Sequence, residues 1–462
     1  MGKFSTYRYL ELKDDTPASQ VNISRSRIIK HPRRLRKVFI FVIIAAIFVT
    51  YFVGLFAGQS QLLDGIAKAL GYESEQHHAV IIDAGSSGSR VLAYKFRVPF
   101  TVFGQANLDL VEEYFEQTKP GLSSYADDPE KGADTIVQLI KKAEFLTPPE
   151  KRRNTPLIVR ATAGLRLLPA DKAQQLIEHV AAAISKLGYD VASDGVKIMD
   201  GSDEGIFIWY TVNLLHNLMD GATMAALDLG GGSTQITYQL SELDAPRFPA
   251  GDQYVVPAGN NITLYTHSYL NLGLLAARYG ILRMENGDTD AKELTSVCVD
   301  PIVKKEPWTY ANKQYFISGT PRPAGMKRKA AYLACHGVVR QYVLRTLDWE
   351  PSQPPQGTVA AMSYFYDVAA DAGIIDVESG GTASVGVYRS QAARACSAAN
   401  VDQPWACLDL AYVTALLHDA YKIANDEPIS LFKKVNAHEV SWALGLAYTT
   451  VMNRLAAAAE KQ

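Results

Sequence analysis

Residues 79–90 read AVIIDAGSSGSR, and residues 225–235 read AALDLGGGSTQ. Each stretch is an apolar run that ends at an aspartate, Asp83 or Asp228, and continues into a loop of small residues. A second strand-like run follows each loop. An apolar run, a small-residue turn and another such run predict a β-hairpin, so the same unit occurs twice in the chain.

The segments around the two hairpins predict the fold class. Helical spacing of apolar residues is found at 136–143, 176–187, 330–346 and 408–424. More irregular structure is expected at 241–259 and 295–329. Strands and helices mixed around two equivalent hairpins predict an α/β protein of two lobes with a ligand cleft between them. We expect residues 77–200 to form the first lobe, completed by 433–462, and residues 201–432 to form the second.

Length and composition limit the class of protein. A chain of 462 residues, of which 48% are hydrophobic, can bury a large core and is long enough for several domains. Its 46 Lys and Arg and 48 Asp and Glu give a formal net charge of -2 at pH 7. A chain with this charge balance does not attract the phosphate backbone of nucleic acid as a whole, so we do not expect nucleic acid as a partner.

The N-terminal region has the pattern of a membrane anchor. Residues 1–37 carry ten Lys or Arg against three acidic residues, and residues 38–58 then run without a charge. A span of the hydrocarbon core needs about 20 apolar residues, and the positive flank stays in the cytosol. We therefore expect a cytosolic basic tail at 1–37, a transmembrane signal anchor at 38–58 and a luminal stalk at 59–76. A cleaved signal peptide is the alternative, although its apolar part is usually shorter.

Four cysteines follow the predicted span, and four cysteines allow three pairings. Their order favours Cys298 with Cys335 and Cys396 with Cys407, because the other pairings would join segments far apart in sequence. Disulfides suit an oxidising lumen, and buried free thiols are the alternative. The sequon that begins at Asn261 would be open to glycosylation in the same compartment.

Both hairpin loops suit phosphate binding. Small side chains let backbone N–H groups converge on an anion, and hydroxyl groups add donors. The candidate phosphate-binding residues are Ser86, Ser87, Gly88, Ser89, Gly230, Gly231, Gly232, Ser233 and Thr234. Asp83 and Asp228 lie beside these loops and could hold a hard divalent cation together with phosphate oxygens. Either aspartate alone could instead be a turn residue that bonds its own backbone.

A phosphate site that hydrolyses its ligand also needs a group that activates water. Glu204, within residues 201–209 (GSDEGIFIW), lies at the predicted start of a helix. A carboxylate at that position could act as a general base. The alternative is that Glu204 and Asp203 only stabilise the helix dipole, and the spacing does not decide between these interpretations.

Five segments resemble, in order, the five apyrase motifs of the nucleoside triphosphate diphosphohydrolase family. They are 82–90 (IDAGSSGSR), 160–166 (RATAGLR), 203–205 (DEG), 228–235 (DLGGGSTQ) and 442–445 (WALG). Residues 119–128 (KPGLSSYADD) and 363–367 (SYFYD) look most like the intracellular branch, which prefers nucleoside diphosphates. The resemblance covers residues 77–455.

The resemblance implies a two-lobe fold of the actin or RNase H-like ATPase type, with an active site in the cleft between the lobes. It also implies hydrolysis of nucleotide phosphoanhydrides that depends on Ca²⁺ or Mg²⁺. By position, Glu204 matches the general base of the family. The residues that match those positioning the attacking water or the metal shell are Thr162, Ser233 and Gln235. The residues that match those around the cation are Asp83, Asp228 and Trp442.

Two further pairs of residues each have a functional and a structural interpretation. Tyr364 and Phe365 fall where the family stacks the nucleobase, although the same run could be part of the core. Arg90 and Arg166 could contact phosphate, but an arginine beside carboxylates is as often a structural ion pair.

Together these features predict a luminal nucleoside diphosphatase that converts UDP or GDP to the monophosphate and phosphate by in-line attack of water, in support of glycosylation. A broad apyrase that also cleaves triphosphates, an exopolyphosphatase and a non-catalytic nucleotide-binding clamp are the alternatives. The expected location is the Golgi or endoplasmic reticulum membrane, with one N-terminal span. Cleavage in the stalk would release a secreted form.

Overall fold

A computed structural model of the chain describes residues 40–45, 47–48, 69–71, 74–100, 108–219, 221–256, 262–287, 290–323, 328–351, 353–399 and 401–460. The chain divides into one unit of 1–72 with 100–104 and another of 73–99 with 105–462. In the first unit, 40–45 and 47–48 are helical with exposed side chains. The predicted tail at 1–37, the remainder of the anchor at 38–58 and Asn261 lie outside the described residues.

None of the helices within the described ranges is both long enough and apolar enough to cross a bilayer.

The second unit contains the sheets. Its strands are β1 (Gln76–Ala84), β2 (Ser89–Arg97), β3 (Asp109–Thr118), β4 (Leu157–Ala161), β5 (Val196–Ile198), β6 (Ala225–Leu229), β7 (Ser233–Gln239), β8 (Gln253–Val255), β9 (Thr263–Leu270), β10 (Glu293–Ser296), β11 (Glu306–Tyr310), β12 (Lys313–Gly319), β13 (Val359–Ser363), β14 (Gly381–Ala383), β15 (Ile429–Leu431), β16 (Lys434–Val435) and β17 (His438–Glu439).

Its α-helices are α1 (Pro129–Lys142), α2 (Pro149–Arg152), α3 (Ala163–Arg166), α4 (Ala170–Ile184), α5 (Gly201–Leu215), α6 (Leu274–Glu285), α7 (Arg328–Thr346), α8 (Tyr364–Asp371), α9 (Val385–Ala395), α10 (Ala406–Ala415) and α11 (Trp442–Ala459). Short 3₁₀ helices lie at Leu122–Tyr125, Ser185–Leu187, Ala245–Arg247 and Ala250–Asp252, and a π-helix lies at Leu416–Ala420.

Two sheets repeat one topology. In the first sheet the strand order is β3-β2-β1-β4-β5, with β1 antiparallel to β2 and parallel to β4. In the second sheet the segment β9-β7-β6-β13-β15 has the same order, with β6 antiparallel to β7 and parallel to β13. Strands β8 and β14 extend the second sheet at its two edges. The prediction of an α/β fold with a repeated unit is confirmed.

The two hairpins match residue by residue. Asp83 pairs with Arg90 across the first hairpin, and Asp228 pairs with Gln235 across the second. In each case the partner lies seven positions after the aspartate, so the loops have the same length. Both aspartates therefore reach the same edge of their sheet, directly before a loop of small residues.

Three large groups of buried residues hold these sheets in place. The run at 79–82 is apolar throughout because β1 is covered on both faces, as is usual for central strands of α/β sheets. Val80 belongs to a core with α1 and α4, whereas Ile81 belongs to a second core that also contains Ala226 of β6. Helices α5 and α11 contribute to that second core. It joins the two sheets, and the third core lies on the remaining face of the second sheet.

Other sequence predictions have mixed outcomes. Each predicted helix overlaps an observed one, namely α1, α4, α7 or α10. Gly188 follows the short 3₁₀ helix after α4 and has a φ of 78°. The disulfides Cys298–Cys335 and Cys396–Cys407 are present as predicted. The expectation of irregular structure at 295–329 is wrong for part of that stretch, because β10, β12 and β11 form a sheet there. Pro307 lies in β11, and a proline argues against a strand when only the sequence is considered, but β11 is an edge strand, where proline is tolerated.

Gly445 sets the approach of α11 to α5. Its backbone N–H donates to Thr211 Oγ1 at 2.9 Å, and a Cβ at this position would lie 2.1 Å from the carbonyl oxygen of Phe207. Gly445 is the glycine of the segment WALG, and close packing of α11 against α5 requires a residue without a side chain at this position.

We expect Gly445→Ala to lower the free energy of unfolding by about 2 kcal/mol, because overpacking forces the two helices apart. Gly337→Ala is the matched control, since Gly337 lies in α7 with nothing within 4 Å of its added Cβ. That control should be neutral or stabilising by roughly 0.5–1 kcal/mol. Urea denaturation of both variants measures the difference, and equal stabilities would contradict the packing argument.

Candidate active site

The two hairpin loops open onto one cleft of about 450 Å³. The residues of the first hairpin that line it are Asp83, Gly85, Ser86 and Ser87, and those of the second are Asp228, Gly230 and Gly231. Thr162, Glu204 and Trp442 line it as well. The structure therefore brings together most of the residues that the sequence singled out, although they come from segments as far apart as Asp83 and Trp442.

The loops meet closely at this point. A Cβ at Gly231 would lie 2.6 Å from Ser86 Oγ, so a larger residue there would require the Ser86 hydroxyl to move. A phosphate group in the cleft would therefore meet backbone and hydroxyl donors from both loops at once.

Several predicted phosphate-binding residues do not line the cleft. They are Gly88, Ser89, Gly232, Ser233 and Thr234. Ser89 is fully buried on β2, opposite Ala84. The hydroxyl of Thr234 donates to the Asp228 carbonyl oxygen at 2.7 Å and lies 2.9 Å from Tyr421 Oη. The position of Thr234 fits a role in bracing the second hairpin and does not fit direct contact with phosphate.

Glu204 is buried in the first turn of α5 and is held by two donors. Arg166 Nη2 donates to Glu204 Oε2 at 2.6 Å, and Gln235 Nε2 donates to the same oxygen at 3.2 Å. Gln235 Nε2 also lies 2.9 Å from Ser233 Oγ. Among the described side chains both donors bond Oε2, which leaves Oε1 available to a ligand in the cleft.

The cleft raises the affinity of Glu204 for a proton. Burial raises the pKa of Glu204 to about 8, while Arg166 opposes the rise and the carboxylates of Asp228 and Asp83 add to it. A carboxyl group with a pKa near neutrality can exchange a proton with water in either direction. The helix-dipole interpretation alone does not account for these specific contacts.

Asp83 and Asp228 present unpartnered oxygens to the cleft. Arg90 Nη1 donates to Asp83 Oδ2 at 3.0 Å, but Asp83 Oδ1 and Asp228 Oδ1 are buried without a described hydrogen-bond partner. Burial raises the pKa of both aspartates, and in Asp228 the Asp83 carboxylate adds to the rise. Two buried carboxylate oxygens without donors fit a hard divalent cation, which prefers oxygen ligands.

The aromatic residues at the cleft differ from those expected. Tyr364 lines it and is partly exposed. Phe365 has none of its surface exposed, packs in the core of the second sheet and does not line the cleft. Its position does not fit the predicted contact with a base. Tyr366 lines the cleft as well, but it is only 4% exposed, belongs to the same core as Phe365 and donates its hydroxyl to the Val377 carbonyl oxygen.

Sequence reasoning also missed several cleft residues. Lys119 and Ser363 line the cleft and lie in the two segments that resemble the intracellular branch of the family, but the sequence analysis gave neither residue a role. Phe432 and Lys433 also line the cleft, and no sequence pattern pointed to them. Arg90 and Arg166, whose roles were open, both form ion pairs with site carboxylates.

Matched hairpins whose loops meet beside buried carboxylates define a class of phosphate-binding α/β protein. The model of the GDA1/CD39 (nucleoside phosphatase) family matches residues 70–460, and the chain belongs to this family. The resemblance carried by the five motifs is thereby confirmed, and divalent-cation dependence is general in this family.

Three curated relatives show the extent of the similarity. Ectonucleoside triphosphate diphosphohydrolase 5 of Bos taurus is 37% identical over 385 residues, which cover 80% of this chain and 87% of that protein. Nucleoside diphosphate phosphatase ENTPD5 of Homo sapiens is 35% identical over 412 residues, covering 86% of this chain and 91% of that protein. Nucleoside-diphosphatase uda-1 of Caenorhabditis elegans is 33% identical over 395 residues, covering 80% and 81%.

Among solved structures, the crystal structure of nucleoside triphosphate hydrolases from Neospora caninum matches with a TM-score of 0.57 at 14% identity. The match covers 88% of this chain and 97% of that one. At this identity the likeness concerns the fold alone.

Replacing Arg166 by Gln should raise the pKa of Glu204 above about 8, because the guanidinium favours the charged carboxylate. The protonated carboxyl should then persist to higher pH in R166Q than in the wild type. Infrared difference spectra across a pH series measure this as the carboxyl band that Glu204→Gln lacks. Arg454→Gln is the control, since Arg454 pairs with Asp190 and does not line the cleft. An unchanged midpoint in R166Q would contradict the assignment.

Proposed function

We propose that this protein is a nucleoside diphosphate phosphatase that hydrolyses the terminal phosphate of diphosphates such as UDP and GDP. The observation that carries the proposal is the orientation of Glu204, which Arg166 and Gln235 hold through one oxygen at the cleft between the two loops. The names of the human and nematode relatives, which specify nucleoside diphosphates, support the substrate class.

Glu204 is the proposed general base. With Oε2 bonded to Arg166 and Gln235, Oε1 accepts the proton of a water molecule that attacks the terminal phosphorus. Gln235 and Arg166 keep the carboxylate in this orientation, and Ser233 fixes the Gln235 amide through its hydroxyl. Thr162, which caps no helix with its side chain, lines the cleft and is free to hold the water.

The two hairpin loops bind the phosphate groups. Ser86, Ser87 and the backbone of Gly230 and Gly231 surround the terminal phosphate and stabilise the charge that develops on it. A divalent cation, Ca²⁺ or Mg²⁺, would be held at Asp83 and Asp228, largely through water and beside Trp442, and would supply further charge neutralisation.

The remaining parts of the cleft suit the rest of a nucleotide. Tyr364, which is partly exposed, offers aromatic surface for the base on the second sheet's side. We assign the two matched sheets to two lobes of the actin type, with the bounds 77–200, 201–432 and 433–462.

We also propose that the chain is a single-pass membrane protein of the Golgi or endoplasmic reticulum, with its catalytic part in the lumen. The charge-free run at 38–58 after a basic tail supports this topology. Two disulfides in the catalytic unit support an oxidising compartment. In that compartment glycosyl transfer releases nucleoside diphosphates, so their hydrolysis would relieve product inhibition.

The full chain, purified in detergent, should release phosphate from UDP and GDP when Mg²⁺ or Ca²⁺ is present and should stop when a chelator is added. Glu204→Gln should lower kcat by about 10²–10⁴-fold while nucleotide still binds, because the base is lost and the loops remain. Phosphate release across UDP, GDP, ADP and the triphosphates measures this.

Asp203→Asn is the matched control, since Asp203 occupies the same helical turn and does not line the cleft. Its activity should remain close to wild type. Equal rates on triphosphates would change the assignment to a broad apyrase, and tight nucleotide binding without turnover would support a non-catalytic clamp.

The proposed topology has its own test. In sealed vesicles from cells that express the full chain, added protease should remove only the basic tail at 1–37, because the bilayer protects the lumen. Immunoblots with tail and C-terminal tags measure this, and vesicles opened with detergent are the control. Digestion of the C-terminal part in sealed vesicles would contradict the topology.

A further inference from the structure

Ser363 has an unusual backbone conformation at the edge of the cleft. It is the last residue of β13, directly before α8, and has φ 55° and ψ -126°. Positive φ is sterically unfavourable for a residue with a side chain and is more usual for glycine. Such strain persists only where the surrounding structure holds it in place.

The repeated topology shows that the fold does not require this strain. Ala161 pairs with Ala84 in the first sheet, and Ser363 pairs with Leu229 in the second, so the two positions are equivalent. In the first sheet Thr162 makes the turn into α3 with φ -106°, an ordinary extended value. In the second sheet α8 begins at Tyr364, directly after the last residue of β13, so Ser363 itself makes the turn between strand and helix.

The contacts of Ser363 point to a role in the site. Its side chain does not cap α8, although it occupies the position before that helix. It lines the cleft together with Asp228 and pairs with Leu229, the next residue along β6, and its hydroxyl lowers the pKa of the Asp228 carboxyl group. The other feature of that carboxylate is Oδ1, which is buried and unpartnered among the described contacts.

A nucleophilic role does not fit these contacts. A strand-to-helix turn of this kind exposes the nucleophilic serine of α/β-hydrolases, where a histidine activates it. Of the described residues that line this cleft, none is a histidine. The group next to Ser363 is instead the carboxylate that fits a cation.

We infer that Ser363 is a positioning residue that holds the Asp228 carboxylate so that Oδ1 stays available to the divalent cation, and that its strained backbone is retained to place the hydroxyl. This inference rests on the cation site of the proposed function. It predicts that stability and cation binding change in opposite directions when the strain and the hydroxyl are removed together.

The test uses the full chain in detergent, with Ca²⁺ and Mg²⁺ titrated calorimetrically without nucleotide and with the melting temperature measured in chelator. Ser363→Gly removes both hydroxyl and strain, so it should raise the melting temperature and weaken cation binding by about tenfold or more. Ser363→Ala should weaken cation binding similarly without the gain in stability, because it keeps a side chain at positive φ.

Ala311→Gly is the matched control. Ala311 has φ 47° in the exposed turn between β11 and β12 and does not line the cleft. Relief of strain there should raise the melting temperature and leave cation affinity unchanged.

Wild-type cation affinity in both Ser363 variants would overturn the inference, and so would a Ser363→Gly variant that is no more stable than the wild type. A wild-type chain that binds neither cation would overturn it too. These readouts do not depend on turnover. Failure of the wild type to hydrolyse diphosphates would therefore refute the proposed function separately, whereas normal hydrolysis with unchanged cation affinity would refute only the role of Ser363.

Discussion

Three buried carboxylates, those of Asp83, Asp228 and Glu204, face one cleft, and this concentration of negative charge is the constraint on which the site depends. Burial raises the pKa of each of them, and in Asp228 and Glu204 the neighbouring carboxylates add to the rise. Arg90 and Arg166 offset part of this charge. One oxygen of each aspartate has no described partner, so negative charge in the cleft remains uncompensated, and a bound cation would neutralise it.

The duplicated fold explains how these groups come together. Each aspartate ends a central strand before a loop of small residues, and equal loop lengths carry both loops to corresponding places. The core shared by the two sheets, with α5 and α11, holds the halves in register. Glu204 lies in the first turn of α5, so the same helix that packs between the sheets also delivers the base.

The two halves are similar in topology, and their differences are concentrated at the site. At the end of the fourth strand of each motif, the first half has Thr162 in an extended conformation and the second has Ser363 in a strained one. Gln235 occupies the position that Arg90 occupies in the first hairpin, and it bonds Glu204 where Arg90 bonds Asp83. A repeated scaffold thus carries two different sets of side chains: each half supplies one aspartate to the cation site, and the second half also supplies Gln235, which orients Glu204.

The sequence by itself determined the features that depend on local pattern: the two hairpins, the helices α1, α4, α7 and α10, the order of the cysteines and the family motifs. Only the tertiary structure decided which residues of each motif reach the cleft. Ser86 lines it while Ser89 is buried, and Tyr364 lines it while Phe365 packs in the core. The orientation of Glu204 likewise follows from its bonds to Arg166 and Gln235, and its raised pKa follows from burial. These outcomes depend on contacts between segments far apart in the chain, which local periodicity does not encode.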